Sequence, residues 1–135
     1  MRLDTVIAHL PELLASILVG ILFIQSALDK VFDWKGNLGW LTEHFSKTVF
    51  AGTVAPMLAT LTVMELATGV LAVVGIIYFI AAASTIVIFY AATLGALTII
   101  ALFFGQRVAK DYAGAAVLVP YFLLTLFLVY LTRPL

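Results

Sequence analysis

Long apolar blocks separated by short charged connections set the pattern of this chain. The blocks at about 13–28, 56–79, 84–104 and 113–131 carry almost no charge, and each is close to the roughly 20 residues that a bilayer-spanning helix needs. The first block opens after Pro11, a tolerated first-turn proline, and closes at Asp29 and Lys30, which mark the water interface. Ser16, Gly20 and Ala27 give it one small face suited to close helix packing. Arg2 is a weak n-region and no A-x-A site precedes Leu28, so this span is expected to be retained rather than cleaved.

Residues 31–53, VFDWKGNLGWLTEHFSKTVFAGT, break the pattern. They are too polar to cross a bilayer and too aromatic for a plain linker. Leu38, Leu41, Phe45 and Val49 recur at helical spacing, with Thr42, Glu43, Ser46 and Lys47 on other faces. The spacing predicts an amphipathic helix on the membrane surface, with Trp34 and Trp40 at headgroup level and Glu43 and Lys47 as an i, i+4 pair.

No charge occurs between Glu65 and Arg107, a run that suits two antiparallel spans. Their boundary is poorly marked, because no Gly or Pro falls between Ile76 and Leu94; Ser84 and Thr85 are the expected caps. In the last span Pro120 removes a backbone donor and is expected to kink the helix, freeing the carbonyl near Ala116. The sequence therefore predicts an all-α integral membrane four-helix bundle, one domain over 1–135, with an interfacial helix between spans 1 and 2.

Composition agrees and narrows the chemistry. The chain is 64% hydrophobic and 10% charged, against about a quarter charged in soluble domains. The net charge is zero, so nothing points to nucleic acid. Without cysteine there is no disulfide, thiolate metal site or thiol relay, and His9 and His44 lie outside the spans, so no metal or bis-histidine haem site is expected. Lys30, Lys35, Lys47, Arg107 and Lys110 fall in the connections after spans 1 and 3, against Arg2 and Arg133 on the other side. The positive-inside rule then places both charged connections in the cytoplasm and both termini outside.

The stretch LATLTVMELATGVLAVVG, 58–75, carries one acid, Glu65, roughly 14 Å below the start of its predicted helix at 1.5 Å per residue. A carboxylate facing lipid there costs on the order of 2.5–3.5 kcal/mol on insertion scales, so Glu65 must face protein, water or a cation, or be protonated. Two uses remain open: interhelical glue, with a Lys or Arg partner, or a wall group of a cavity for a polar ligand head or a proton. At the rim above it, QSALDK (25–30) brings Gln25, Asp29 and Lys30, and GQRVAKDYAG (105–114) brings Arg107, Lys110, Asp111 and Tyr112. Singly these are lipid-headgroup anchors; together they predict a polar pocket open to that side. Tyr90 with Thr93, and Tyr121 with Thr125, are neighbouring hydroxyls for such a pocket or ordinary packing residues.

The segments SALDKVFDW, MELATGVLAVVG and FGQRVAKDYAGAA, in this order and spacing, resemble the DoxX family of small four-helix bacterial membrane proteins, over essentially the whole chain. The resemblance implies an inner-membrane protein in which Lys30 and Glu65 are family-like polar positions. Some members are membrane subunits of thiosulfate:quinone oxidoreductase; this chain lacks the cysteine that sulfur handling would use most directly. Three functions follow as expectations. The first is an accessory or binding subunit, docked to other membrane or peripheral subunits or to copies of itself, holding a quinone or lipid head group. The second is the quinone-reacting membrane subunit of an oxidoreductase, with Glu65 as proton carrier. A small-solute transporter is third, disfavoured by the absence of broken helices and inverted repeats.

Overall fold

The computed structural model describes residues 2–135, and among these the chain forms six helices and no strand. They are α1 (Leu3–Ala8), α2 (Leu10–Phe32), α3 (Trp34–His44), α4 (Val54–Ala82), α5 (Ile86–Val108) and α6 (Tyr112–Thr132). α2, α4, α5 and α6 are each long and apolar enough to cross a membrane. α2 packs on α4, α4 on α5 and α5 on α6, with lighter contacts from α2 to α5 and α6. The protein is an all-α four-helix membrane bundle.

Small side chains on one stripe of each helix hold the bundle together. On α2 the interior stripe is Glu12, Ser16, Val19, Gly20, Phe23 and Ala27, and on α4 it includes Leu58, Thr62, Glu65, Thr68, Gly69, Ala72, Gly75 and Phe79. Backbones meet at two points. A Cβ on Gly69 would lie 2.9 Å from the Ile24 amide nitrogen, and one on Gly75 would lie 2.9 Å from that of Ile88. Lipid tails are as apolar as leucine, so helix association in a bilayer relies on such close packing rather than on hydrophobic burial. The opposite faces carry exposed Ile17, Ile21, Val63, Ile77, Leu97, Leu123 and Phe127, an apolar exterior suited to acyl chains.

The spans differ in detail from the sequence expectation. α4 has 29 residues, roughly 43 Å at 1.5 Å per residue against a hydrocarbon layer of about 30 Å, so it extends past the layer or tilts. It continues to Ala82, past the expected end at 79, and α5 begins at Ile86, two residues after the expected start. Between them Ala83 takes the left-handed conformation (φ 54°) and its N–H closes the helix on the Phe79 carbonyl. Thr85 stands at the N-cap without a side-chain bond, whereas the Ser84 Oγ accepts the Ile86 N–H at 3.3 Å. α6 runs through Pro120 without interruption.

The connection after α2 also differs. α3 stops at His44 and residues 45–53 form a chain of turns, so Glu43 and Lys47 do not sit one helical turn apart as expected. Local hydroxyls explain the stop: Ser46, Thr48 and Thr53 each donate to the carbonyl three residues back (Glu43, Phe45 and Phe50, at 2.8, 2.9 and 2.7 Å), competing with the helical ladder. No residue of α3 is buried. Phe45, just beyond it, is buried and anchors the connection, while Val49 is 84% exposed rather than on the apolar face.

Candidate functional site: a buried ion pair behind an apolar cavity

Lys30 extends the interior stripe of α2 by one step, three residues beyond Ala27. In an α-helix the Cα–Cβ bonds tilt toward the N-terminus. Lys30 therefore leans from the end of α2 back into the bundle, while Glu65 on antiparallel α4 leans toward the same rim. The two meet: Lys30 Nζ donates to Glu65 Oε2 at 3.0 Å and to Ser26 Oγ at 2.9 Å. The Ser26 carbonyl lies 3.5 Å from the same nitrogen. The Glu65 side chain is 1% exposed and that of Lys30 17%. Glu65 stands eleven residues into α4, roughly 16 Å from its start. The geometry thus gives Glu65 a lysine partner.

Lys30 also faces a cavity of about 600 Å³, within the range typical of small-ligand sites. α3 and the following turns up to Thr53, α4 from Val54 to Met64, the end of α5 and Leu118 of α6 line it. Its aromatic wall is Trp40, Phe45, Phe50 and Phe104, and Met57 and Met64 add flexible thioethers. Phe45 and Phe50 meet edge to face at 6.1 Å, as do Phe50 and Phe104 at 6.0 Å, tying the connection to α5. Lys30, Asn37, Thr53, Thr60 and Gln106 are the polar residues of the wall. Glu65 lies behind Lys30 and is not part of it.

The two charged connections meet at this end of the bundle. His44 Nε2 and Gln106 Oε1 are 2.9 Å apart, and the Asp111 carboxylate is 3.8 Å from the same imidazole nitrogen. Trp40 stacks on His44 with ring centroids 4.6 Å apart. Asp111 caps α6 by accepting the Gly114 N–H at 2.9 Å. Lys110, at φ 60°, closes α5: its N–H bonds the Arg107 carbonyl and the Asp111 N–H bonds that of Gln106, a Schellman arrangement.

Of the residues singled out in the sequence, the structure joins Lys30 and Glu65 and separates the rest. Gln25 and Asp29 line a different groove, between the outer side of α2 and Val73 and Ile76 of α4. The Arg107 guanidinium lies 4.5 Å from the centre of the Tyr112 ring, off the cavity wall. Asp111 and Lys110 serve helix ends. Tyr90 is 55% exposed, while Thr93 and Thr125 spend their hydroxyls on their own helices. Ser26, Asn37, His44 and Gln106 are the contributors that sequence reasoning passed over. For Ser26 the signal was its position one turn before Lys30.

In comparisons with known proteins, no family model, curated protein or solved structure matches the chain.

Proposed function

We propose that this protein is a DoxX-like binding or accessory subunit of a membrane complex, which holds the head group of a quinone or lipid in the cavity beside Lys30. The observation that carries the reading is the cavity itself: an aromatic and methionine-lined space with a few polar groups, at the rim where the two charged connections meet. An amphiphile arriving from the bilayer finds apolar walls for its ring or upper chain and polar groups for its head. The proposed setting is the bacterial inner membrane, with the connections after α2 and α5 in the cytoplasm and both termini outside. The proposed partners are other membrane or peripheral subunits, or further copies of the chain. Trp40 offers a direct test, since the chain has two tryptophans and a Trp34→Phe variant leaves Trp40 as sole reporter. In nanodiscs, a short-tailed benzoquinone should quench it saturably, and the paired substitutions Leu61→Phe and Met64→Phe should weaken that quenching. Quenching that rises linearly, without saturation, contradicts the reading.

One observation favours a second role, as quinone-reacting subunit of an oxidoreductase. Lys30 touches both the cavity and Glu65, so a proton-bearing pair stands one residue from any bound head. Quinone-dependent turnover of the reconstituted assembly tests it: Glu65→Gln should slow turnover, and unchanged turnover removes Glu65 from that role.

A further inference from the structure

The hydrogen-bond state of each polar group on the cavity wall specifies what kind of head it accepts. Lys30 is the one charged residue on that wall, and its charge is already opposed by Glu65 at 3.0 Å while Ser26 takes a second proton. An anionic head would have to displace Glu65 from its cation in a low-dielectric setting, leaving a buried carboxylate unpaired. Asn37 is oriented by its partners. Its Nδ2 donates to the carbonyls of Asp29 (3.2 Å) and Asp33 (2.9 Å), so the amide cannot be reversed without losing both bonds, and Oδ1 is left as an acceptor.

The hydroxyls of Thr53 and Thr60 donate to the carbonyls of Phe50 (2.7 Å) and Pro56 (2.9 Å), which leaves their lone pairs as acceptors. Gln106 Oε1 accepts from the ring Nε2–H of His44 at 2.9 Å, and its own Nε2 lies near Gly114. Among the described residues, the indole N–H of Trp40 and the Nε2 amide of Gln106 are wall donors without a hydrogen-bonded protein partner, against the acceptors of Asn37, Thr53 and Thr60. The one charge on the wall is thus already opposed by Glu65 from behind, and acceptors are its main free polar groups.

From this we infer that the cavity takes an amphiphile with an uncharged, hydroxyl-bearing head, the chemistry of a phenol or hydroquinone, in preference to an anionic phospholipid. The inference rests on the binding role proposed above and narrows its ligand. A hydroxyl donates to Asn37 Oδ1 or a threonine oxygen while a ring stacks among Trp40, Phe45 and Phe50. A carbonyl-only head, such as an oxidised quinone, leaves those acceptors unmet and binds more weakly.

The test uses the full chain with Trp34→Phe in neutral-lipid nanodiscs, Trp40 fluorescence as readout, and three probes with brominated tails. They are an alkylphenol, its methyl ether and a phosphatidylglycerol. The phenol should quench saturably and bind about tenfold tighter than the ether, the value of one hydrogen bond. Asn37→Leu, on a helix with no buried residue, should reduce that ratio. Phosphatidylglycerol should not displace the phenol at equal mole fraction. Equal affinity for phenol and ether in the wild type, or displacement by phosphatidylglycerol, overturns the inference while leaving the cavity a binding site. Saturable quenching by none of the three overturns the binding role itself, and the inference with it.

Discussion

Lys30 Nζ and Glu65 Oε2 stand 3.0 Å apart across the α2–α4 interface, and the pair resolves an otherwise costly arrangement. A lone carboxylate facing lipid at the depth of Glu65 would cost on the order of 2.5–3.5 kcal/mol. Paired, and with Ser26 Oγ taking another ammonium proton, the charges compensate each other within the bundle. The fold thus gives Glu65 a partner and leaves the lysine with one side facing the cavity.

Close packing at the glycines of α4 gives a sharp prediction. Gly69→Ala and Gly75→Ala each place a methyl 2.9 Å from a backbone nitrogen, which cannot rotate away as a side chain can. Each should cost about 1–3 kcal/mol. Gly39→Ala, on exposed α3 with nothing within 4 Å of the new methyl, should be neutral or stabilise by up to about 1 kcal/mol. Unfolding by denaturing detergent measures all three.

The α4–α5 turn carries removable strain. Ala83 adopts φ 54°, a conformation that costs an L-residue roughly 1–2 kcal/mol and glycine almost nothing. Ala83→Gly should therefore stabilise the protein by about 1 kcal/mol, partly offset by the greater freedom of glycine in the unfolded chain. An unchanged or lower midpoint in the same unfolding assay would show that the turn is not strained.

α3 should be the first element to loosen. It buries no residue of its own and is held over the cavity by Phe45 and by the bond between His44 and Gln106. His44→Ala removes that bond and the stacking on Trp40, so amide exchange should accelerate in residues 34–50 while α4 and α5 stay protected. Acceleration spread evenly over the bundle would contradict this.

The proposed orientation is open to single-cysteine labelling, because the chain contains no cysteine of its own. A Lys35→Cys protein should react with an impermeant maleimide only after the membrane is broken, and Arg133→Cys should react in intact cells. The reverse pattern would invert the topology.

Much of the fold was legible because charge-free blocks of spanning length have few alternatives. The position of Glu65 on the small-residue face of its helix was legible too, since Thr62, Thr68, Gly69 and Ala72 mark that face. Its partner was not. Both the packed and the lipid-facing sides of these helices are apolar, so amphipathicity does not fix their rotation. Gln25 and Asp29, one turn apart, share the outer face of α2, whereas Lys30 lies about 100° further round and alone falls on the interior stripe. The boundary between α4 and α5 was hidden because the turn uses Ala83 where glycine is usual. The cavity depends on how α3 folds back over α4 and α5, a long-range arrangement that local spacing does not encode.

A double-mutant cycle on Lys30 and Glu65 tests most directly whether these two groups hold each other in place. Lys30→Met and Glu65→Gln should each destabilise the bundle by about 3–5 kcal/mol, because each strands the other buried group, and the double variant should lose far less than the sum. A coupling of about 2 kcal/mol or more is the predicted result. Additive losses, with coupling near zero, would mean that the two side chains do not depend on each other.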